Sequence, residues 1–435
     1  MWTTVRLKSL GSIQGNGVDK TVNRDELPIK LLNYMDVYTY TVIDNNLNFQ
    51  EVTAKKNKIK KCNLIESDVL FTPSSETPDD IAHASVVVED LDNVVYSYHV
   101  IRFRFHEKNK IDKYFLRYCL NQYSVQKYFT SRASGTTRYT LSKKDFENLS
   151  FQIPTNKQEQ KAIGTILSKV DEAIETTKQS INSAQKLKTS LMQNLLTGKI
   201  KPDGTKRKDD EFYYDEKLGK LPNDWEVKTF KEISSLIKRG KSPTYANDSN
   251  GIVIINQKCI GWDTINFDEI KYHVLENAPV DRYLLDKDIL INSTGTGTIG
   301  RVTQFYVQEF DCLADSHVTV LRILDECDSE FFKYYLMSYS GQKFLESYCF
   351  TGSTNQLELS RKYLSKLRVA FPKDKQEQEA ISEVLNNMKN NIEYKQNKIK
   401  KLENLKKSLM QNLLTGKMRL SNELIKILGE LSEKA

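Results

Sequence analysis

Long stretches of this amino-acid sequence occur twice, at a fixed separation. Residues 188–199 are KTSLMQNLLTGK and residues 406–417 are KKSLMQNLLTGK, 218 positions further along. The same separation relates IPTNKQEQKAI, which begins at Ile153, to FPKDKQEQEAI, which begins at Phe371. Similarity at one fixed period is the sequence signature of a repeated architecture. We therefore predict that the chain of 435 residues is a tandem duplication with at least two domains.

Each copy contains a stretch with the periodicity of a long helix. Apolar residues recur every three or four positions over about five heptads, a spacing typical of a coiled coil. Gly198 and Gly416 follow the two stretches, as helix stop signals do. We predict spacer helices at 157–198 and 375–416, each about 60 Å long at ~1.5 Å per residue, that pair with each other. A long helix packed only on its own domain is the alternative.

The apolar positions of these stretches are predicted to form the seam of the helix pair. Leu187 and Leu405 continue the same series, so we expect them to be buried, and Leu405→Asp is expected to destabilise the pair. The predicted seam residues of the first helix are Ile163, Leu167, Val170, Ile174, Ile181 and Leu191. Those of the second helix are Ile381, Leu385, Met388, Ile392, Ile399, Leu402 and Leu409.

The remaining segments differ from the helices in composition. Residues 1–156 and 219–374, which we call the first and second heads, contain short β-branched and aromatic runs that predict strands, with helical patterns between them. The polar residues 199–218 predict a linker, and Arg207 with its two lysine neighbours is expected to be a solvated charge run. Residues 417–435 are a C-terminal tail. The predicted fold class is α+β, with two mixed α/β heads joined by a helix pair.

The overall composition argues against a membrane protein and permits a polyanion partner. Lys and Arg number 64 against 57 Asp and Glu, a net charge of +7 that allows polyanion binding without requiring it. No stretch approaches ~18 consecutive apolar residues and the first residues lack the apolar block of a signal peptide, so we expect a cytoplasmic protein. The six cysteines include no C-x-x-C pair, which predicts reduced, mostly buried thiols and no metal site.

Motifs for catalysis are scarce, and we predict that the chain is not itself an enzyme. It contains no N/D-P-P-Y/F strip of an adenine methyltransferase. GTGTIG at 295–300 matches G-x-G-x-x-G, but RVTQFYV follows it and predicts a strand where a dinucleotide site requires a helix. We interpret this run as a tight turn that could approach a phosphate. Asp203 and Asp215 have no apolar strand to hold them around a metal, and His99 and His317 are interpreted as core histidines.

Loops that mix hydroxyl, amide and basic side chains occur at matching places in the two heads. Arg and Lys suit guanine edges and phosphates, Asn and Gln suit adenine edges, and hydroxyls adapt to either. A solvated loop is the alternative for any single residue. The candidate DNA-binding residues of the first head are Arg132, Thr136, Thr137, Arg138 and Tyr139. Those of the second head are Lys238, Arg239, Lys241, Thr294, Thr296, Ser353, Thr354, Asn355 and Gln356.

With its two KQEQ segments and two copies of LMQNLLTGK, the chain resembles the specificity subunits of type I restriction–modification systems over essentially its whole length. LGKLPNDWEV at 218–227 is similar to the usual opening of the second target-recognition domain, whereas the first head begins more abruptly with MWTTVRL. The resemblance implies two target-recognition domains, each reading one half of a bipartite DNA site. It also implies that the two spacer helices pair antiparallel.

The resemblance further implies partners and cofactors that the chain's own motifs do not supply. Two modification (methyltransferase) subunits would dock on the helices, and restriction subunits would complete the complex. The half-sites would lie on opposite strands, roughly 10 bp apart. S-adenosylmethionine would bind the modification subunits and ATP with Mg the restriction subunits, while this chain would bind no cofactor. The target adenine would be flipped into a partner's pocket while this chain holds the duplex.

Two other functions remain open at this point. A self-contained methyltransferase–nuclease, or a fragment of one, is opposed by the missing cofactor and catalytic motifs. A coiled-coil assembly scaffold without a DNA role is the second alternative. Salt-dependent affinity for duplex DNA would argue against the scaffold, because counterion release is the mark of phosphate contact.

Overall fold

The computed structural model describes residues 1–108, 110–246, 251–277, 282–353 and 356–432. The chain divides into two compact units. Unit 1 contains Met1–Gln179 and Asn397–Ala435, and unit 2 contains Ser180–Gln396. Each unit therefore holds one head together with half of each long helix.

The first head is built from short strands and helices. Its strands are β1 (Trp2–Arg6), β2 (Gly11–Gln14), β3 (Leu27–Leu32), β4 (Val42–Ile43), β5 (Gln50–Ala54), β6 (Val69–Phe71), β7 (Ser74–Ser75), β8 (Ala84–Val87), β9 (Val94–Tyr96), β10 (Ile101–Phe105), β11 (Tyr139–Thr140) and β12 (Ser150–Pro154). Its helices are α1 (Leu7–Leu10), α2 (Tyr34–Thr39), α3 (Lys56–Cys62), α4 (Lys113–Leu120), α5 (Tyr123–Thr130) and α6 (Lys143–Glu147), and the long helix α7 (Lys157–Leu195) follows them.

The second half of the chain contains a similar series of elements, with fewer helices before its long helix. Its strands are β13 (Phe212–Asp215), β14 (Gly219–Pro222), β15 (Trp225–Thr229), β16 (Ser234–Arg239), β17 (Ile252–Ile255), β18 (Lys271–His273), β19 (Ile289–Asn292), β20 (Val302–Gln304), β21 (Cys312–Ala314), β22 (Val318–Ile323), β23 (Phe350–Thr351), β24 (Glu358–Leu359) and β25 (Arg368–Pro372). Its helices are α8 (Ser329–Met337), α9 (Tyr339–Phe344), α10 (Arg361–Lys366), the long α11 (Lys375–Leu413) and α12 (Asn422–Ser432). Short 3₁₀ turns lie at Asp209–Glu211, Phe267–Glu269 and Leu275–Asn277, and a π-helical turn at Leu345–Cys349.

The two heads share a common sheet topology, to which the first head adds an edge strand, β4, paired parallel with β8. The strand order β2-β10-β6-β8 in the first head matches β16-β22-β19-β20 in the second, and all these neighbours are antiparallel. The order β5-β3-β9 matches β18-β17-β21, each with one antiparallel and one parallel pair. The strands that enter and leave each head also pair in the same register, with Trp2 opposite Pro154 and Trp225 opposite Pro372. Two heads of mixed α/β structure with one fold are thus confirmed.

Successive side chains of the central strands point to opposite faces of the sheet, so each head has two apolar cores. In β6, Val69 faces a core that includes the helices, and Leu70 faces a second core on the other side of the sheet. Ile289 and Leu290 of β19 divide in the same way. The cysteines are unpaired thiols, five buried and one half-buried, as predicted. Among the residues described, no helix combines the length and the apolar character that crossing a membrane requires.

The long helices α7 and α11 contain 39 residues each. The side chains of Asn156 and Asp374 accept hydrogen bonds from the second backbone N–H of each helix at 2.9 Å, which caps their starts. In unit 1 the first half of α7 packs with the last turns of α11, and in unit 2 the last turns of α7 pack with the first half of α11. The helices therefore run antiparallel within each unit.

The repeated KQEQ segment fastens each helix start to its head through a glutamine. Gln160 donates from Nε2 to the Pro154 carbonyl at 2.8 Å, and its Oε1 accepts from the backbone N–H of Asp112 at 2.9 Å. Gln378 makes the equivalent bonds to Pro372 and Asp328, both at 2.8 Å. Both glutamines are buried, so these bonds are costly to lose.

The glutamate of the same segment binds an arginine that follows the opposite long helix. In unit 1, Arg419 donates from Nε and Nη2 to the two carboxylate oxygens of Glu159 at 2.6 and 2.8 Å. In unit 2, Nη2 of Arg207 donates to Glu377 at 2.8 Å and to Asp224 at 2.7 Å. Each unit therefore has one Arg–Glu pair that ties the end of one long helix to the start of the other.

The predicted seam residues differ in how deeply they are buried. Those that are buried are Ile163, Leu167, Ile174, Ile181, Ile381, Leu385 and Ile392, and those that are half-buried are Val170, Leu191, Met388, Ile399, Leu402 and Leu409. Ile163 and Leu167 belong to the core of the first head, and Ile381 and Leu385 to that of the second, so the helix ends pack on heads as well as on each other.

Two leucines of the periodic series are exposed, although the periodicity predicted that they are buried. Leu187 is 51% exposed and Leu405 is 47% exposed. The two occupy equivalent positions in the repeat. The expectation that both are buried is wrong, because each lies at the edge of the apolar stripe, where the described part of the chain does not cover it.

The segment 199–218, predicted as a linker, contains regular structure. Strand β13 pairs with β14 in an antiparallel hairpin. The Arg207 side chain is only 1% exposed because it reaches Glu377 and Asp224, so the expectation of a solvated charge run is wrong for this residue. A buried arginine with two carboxylate partners is a structural group and not a free surface charge.

Candidate nucleic-acid interface

In the first head, the arm that contains the predicted basic residues pairs with a serine strand. Strand β11 lies antiparallel to β7, with Tyr139 opposite Ser75 and Thr140 opposite Ser74. Nη2 of Arg138 donates to the Ser74 hydroxyl at 3.2 Å. Arg138 is otherwise exposed, so its guanidinium remains available to a phosphate or a guanine edge.

The other predicted residues of this arm have different environments. Thr136 and Thr137 are exposed at the tip of the arm. The guanidinium of Arg132 lies 3.8 Å from the centroid of the Tyr128 ring, and its Nη1 donates to the Tyr128 carbonyl at 3.0 Å. Tyr139 is half-buried and packs on the core of the head, so its ring supports the arm and does not face solvent.

Aromatic side chains that the sequence analysis did not select surround this arm. The Tyr34 hydroxyl donates to the Ser74 carbonyl at 2.8 Å, which places α2 beside β7. The Tyr38 ring stacks with that of Tyr34, and its centroid lies 4.5 Å from the centroid of the His83 ring. Burial raises the pKa of Tyr34, and the hydrogen bond that the Tyr38 hydroxyl donates to the Asp80 carboxylate raises the pKa of Tyr38. Both phenols are therefore neutral donors at pH 7.

His99 also belongs to this site. It is half-buried, its ring lies 3.8 Å from that of Tyr98, and burial followed by the charges of Arg138 and Lys20 lowers its pKa. In the second head, the equivalent His317 is exposed, and its Nδ1 hydrogen-bonds with the Thr294 hydroxyl at 2.8 Å. The interpretation of these histidines as core residues is therefore wrong. Their matching positions in the two copies could have indicated a role in the site.

In the second head, several predicted residues converge on one cavity. Thr294 pairs across an antiparallel bridge with Glu358 and hydrogen-bonds to Gln257 at 3.1 Å. A cavity of about 420 Å³ is lined by Thr294, Gly295, Thr296, Gly297, Ile299, Gln356, Leu357 and Glu358. Hydroxyl, amide and carboxylate groups around one cavity of this kind can accept and donate hydrogen bonds to base edges.

The basic residues of β16 are divided between the two faces of its sheet. Arg239 donates from Nη2 to the Leu359 carbonyl at 3.2 Å and lies 3.3 Å from Glu358, so it borders the cavity. Lys238 is exposed on the opposite face, since neighbouring residues in a strand alternate. The backbone of Lys241 bridges to Asp315, two residues before His317. Arg239 and Lys241 thus approach the site and Lys238 does not.

The last predicted segment is only partly described. Ser353 and Gln356 are exposed, and the backbone N–H of Gln356 donates to the Ser353 carbonyl at 2.8 Å. Thr354 and Asn355 lie outside the described residues. Strands β23 and β24, on either side of this segment, pair antiparallel with each other, as Ser134 and Thr140 do in the first arm.

The glycine run 295–300 is a turn. Strand β20 follows it, which confirms that no helix begins there. Gly295 has φ +98° and an added Cβ would lie 2.4 Å from the Thr298 hydroxyl, so only glycine fits. Within the described residues the backbone N–H groups of Thr296 and Gly297 have no acceptor, while Nη2 of Arg301 donates to the Gly297 carbonyl at 3.1 Å. Free N–H groups beside a guanidinium can bind a phosphate oxygen.

The candidate sites of the two heads lie at the same place in the fold. Each combines the loop after a central strand (β6 or β19), the histidine before another (β10 or β22) and the arm that precedes the LSKK or LSRK segment. The described residues contain no group of three or more His, Cys, Asp or Glu side chains that could hold a metal. Asp215, considered above for a metal, instead accepts from Arg368 at 2.7 Å, and this pairing lowers its pKa.

Comparison with known proteins identifies the family. The sequence profile described as "Type I restriction modification DNA specificity domain" matches residues 1–186 and 222–404. The chain belongs to this family, whose members are the non-catalytic, DNA-recognising subunits of type I restriction–modification systems. The resemblance seen in the sequence is thereby confirmed.

Individual relatives agree with this assignment. The MjaVIII specificity subunit of Methanocaldococcus jannaschii is 29% identical over 329 residues, 73% of each chain. The putative MjaX specificity subunit of the same organism is 25% identical over 430 residues, 96% of this chain and 94% of that protein.

Solved structures show the same fold at lower identity. The S subunit of a type I system from M. genitalium superposes with a TM-score of 0.53 at 16% identity, covering 95% of this chain and 96% of its own. A chain from a structure on complex assembly and conformational transition of the type I R-M system gives a TM-score of 0.54 at 16% identity, covering 96% and 98%. At this identity the likeness concerns the fold alone.

Proposed function

We propose that this chain reads a bipartite, asymmetric DNA site, one half with each head, and positions two modification subunits, with restriction subunits, for adenine methylation or cleavage. The observation that carries the proposal is the equivalence of the two candidate sites. Each head presents hydroxyl and basic groups at the same place on the same frame, yet the residues there differ. Two such faces in one chain suit a DNA site with two different halves.

The first head would contact DNA with Arg138, the serines of β7 and the neutral ring of His99. The second would use Arg239, Thr296, Gln356 and the free N–H groups of its glycine turn. Arg138 and the turn suit phosphates, whereas Gln356 and the hydroxyls suit base edges. Half-sites on opposite strands, about 10 bp apart, are expected for a pseudo-twofold chain.

The chemistry itself would belong to the partners. The modification subunits would bind S-adenosylmethionine and receive the flipped adenine, and the restriction subunits would bind ATP and Mg²⁺. This chain would hold the duplex in place, in the cytoplasm, without a cofactor of its own.

A salt titration tests the DNA role. We expect the assembled complex to bind a duplex carrying its site with a log affinity that falls linearly with log salt, by about 0.9 per phosphate contacted. Arg138→Ala combined with Arg239→Ala should reduce the slope by roughly two. Affinity that is absent or insensitive to salt would contradict the proposal and favour an assembly scaffold.

A further inference from the structure

One threonine hydroxyl of the second head joins side chains from three segments of the chain. The Thr294 hydroxyl donates to Oε1 of Gln257 at 3.1 Å and hydrogen-bonds with Nδ1 of His317 at 2.8 Å. Gln257 follows β17, Thr294 follows β19, and His317 comes directly before β22. We call these three residues the hydroxyl-linked triad.

The single proton of the Thr294 hydroxyl fixes the orientation of both partners. An amide oxygen can only accept, so the hydroxyl donates its proton to Oε1 of Gln257. The hydroxyl must then accept at its other contact, and Nδ1 of His317 is the donor there. A neutral imidazole with its proton on Nδ1 has a lone pair on Nε2. The triad therefore leaves one donor, Nε2 of Gln257, and one acceptor, Nε2 of His317, and neither has a partner within the described residues.

Further hydrogen bonds hold the backbone around the triad. The buried Asn292 donates from Nδ2 to the Gln257 carbonyl at 3.0 Å. The backbone N–H of Ser293 donates to the His317 carbonyl at 2.8 Å. The backbone N–H of His317 donates to the buried Asp315 carboxylate at 2.6 Å. The free donor and acceptor are thus preorganised, as groups that recognise a base edge need to be.

The triad borders the cavity of the second head. Thr294 lines that cavity, and a Cβ added to the neighbouring Gly295 would lie 3.1 Å from Oε1 of Gln257. His317 is exposed, whereas Thr294 and Gln257 are half-buried. A hydrogen bond of an exposed side chain adds little to stability, because water can replace the partner. Stability therefore does not account for the ordered imidazole, whereas recognition of a ligand beside the cavity does.

The first head has the same frame but lacks this triad. Strand register makes Ser74 equivalent to Thr294. The Ser74 hydroxyl accepts from Nη2 of Arg138 at 3.2 Å instead. The ring of His99, the equivalent of His317, makes no hydrogen bond in the part of the chain that the structure describes. The triad belongs to one head only, as expected of a group that reads one half of an asymmetric site.

The base that matches one donor and one acceptor is adenine. In the major groove adenine presents the N7 acceptor and the N6 amino donor. Guanine presents two acceptors, whereas cytosine presents only a donor and thymine only an acceptor beside its methyl group. Nε2 of Gln257 can donate to N7 of adenine while Nε2 of His317 accepts from its N6 amino group. No other single base satisfies both atoms.

We infer that the hydroxyl-linked triad reads one adenine, through its major-groove edge, in the half-site of the second head. This inference rests on the proposed function and adds a particular base to it. The adenine that is read differs from the one that is methylated, because the methylated base would be flipped out of the duplex. Gln257 and His317 are the reading residues, and Thr294 is the positioning residue.

A valine at position 294 tests the role of the hydroxyl. Thr294→Val keeps the shape of the side chain but frees both reading side chains. Single-molecule methylation sequencing of cells that carry the complete system should then show one A·T pair of one half-site relaxed, with the other half-site and the gap unchanged. Thr294→Ser retains the hydroxyl, is the matched control, and should retain the wild-type motif. His317→Ala should relax the same pair, and this exposed position tests the inference even if Thr294→Val fails to fold.

Base analogues at that adenine separate the two reading residues. Purine in place of adenine lacks the N6 amino group, and 7-deazaadenine lacks N7. The assembled wild-type complex should bind a duplex with either analogue about tenfold more weakly, in titrations at one fixed salt concentration. His317→Ala should lose only the sensitivity to purine, and Gln257→Ala should lose only the sensitivity to 7-deazaadenine.

The outcomes distinguish this inference from the proposed function. A two-part motif that Thr294→Val and His317→Ala leave unchanged would overturn the inference and leave the proposed function standing. A relaxed position that is not an A·T pair would also overturn it, as would two reading-residue variants that respond alike to both analogues. A wild-type system that produces no two-part motif would overturn the proposed function and the inference together.

Discussion

The two heads share a buried frame and differ on the surface that it supports. In the first head, Asp68 receives two hydrogen bonds from Arg104 at 2.7 and 2.6 Å, and in the second, Asp288 receives two from Arg322 at 2.7 Å. Both carboxylates are almost fully buried, and both hold the backbone turn that precedes a central strand. The frame is thus the same to the level of single hydrogen bonds.

The two heads differ in the loop that follows this central strand. In the first head it contains Ser74 and Ser75 and continues through Glu76, Asp79 and Asp80, beside two tyrosines. In the second head it contains the glycine turn and Arg301. The first loop is acidic and lies beside aromatic side chains, whereas the second contains Arg301 and no carboxylate. This difference teaches that packing constrains the frame, whereas the loops are free to acquire different specificities.

The largest effects should come from breaking the shared frame. Asp68→Ala and Asp288→Ala each leave an arginine and a backbone N–H without their acceptor, and we expect each to destabilise its own unit by about 2–4 kcal/mol. Hydrogen exchange resolved by unit measures the two losses separately. The matching asparagine variants keep one acceptor and should lose less. If one head tolerates its substitution and the other unfolds, the frames are not equivalent.

The Arg–Glu pairs of the two units are expected to differ in how much they stabilise the fold. Arg207→Ala removes a buried arginine with two partners, at an expected cost of about 2–3 kcal/mol, whereas Arg419→Ala removes a half-exposed one at about 1 kcal/mol. Urea denaturation at pH 7 compares them. Equal losses would mean that burial of the arginine does not set the strength of the pair.

Arg207→Ala should also change how the stability of the fold depends on pH. Burial raises the pKa of Glu377, and Arg207 opposes that shift. Without Arg207 the pKa of Glu377 rises further, so the folded state binds its proton more tightly than the unfolded state does. Stability then falls as pH rises through that pKa, and Arg207→Ala should regain part of its loss between pH 7 and pH 5. A loss that is constant over this range would contradict the assignment of Glu377 as its partner.

A smaller effect is expected at the glycine turn, which only the second head has. Gly295→Ala combines a left-handed φ with a clash at Thr298 and should cost about 1–2 kcal/mol and weaken DNA binding. Gly297→Ala also has a positive φ but meets nothing within 4 Å, so it should cost about 1 kcal/mol or less and serves as the control. Thermal melts and DNA titrations compare the pair. DNA affinity that is unchanged in both variants would remove the turn from the interface.

The smallest effect concerns the helices. Because Leu405 is exposed, Leu405→Asp should change stability by no more than about 0.5 kcal/mol. Leu385→Ala, in the core of the second head, should cost about 2–5 kcal/mol and calibrates the urea measurement. A large loss for Leu405→Asp would restore the original placement of this leucine in the seam.

The fold could be predicted where the sequence repeats itself. The two copies fixed the long helices to within a few residues of their observed ends, and the duplication indicated that the two heads are of one kind. Periodicity gives the spacing of apolar residues but not what covers them, so Leu187 and Leu405 were misplaced. Arg207 was wrongly expected to be solvated because its partner Glu377 is 170 residues away, and local composition gives no information about so distant a contact.

The candidate site could be predicted only in part, for a related reason. Hydroxyl and basic loops stand out in a sequence, and Thr294, Thr296 and Gln356 do line one cavity. Tyr34 and Tyr38 come from a helix far from those loops in sequence and meet them only through the sheet. His99 and His317 were visible as an equivalent pair, but their apolar neighbours suggested burial because strand alternation near a strand's end is a weak guide.

The central claim is that each head reads its own half of one DNA site. Single-molecule methylation sequencing of host DNA tests it most directly, in cells with the gene, without it, and with Gln356→Ala in the second head. We predict a two-part adenine motif with a fixed gap that disappears with the gene. In the variant, one half should relax while the other half and the gap remain. A methylome that is the same with and without the gene, or a variant that alters both halves equally, would contradict the account.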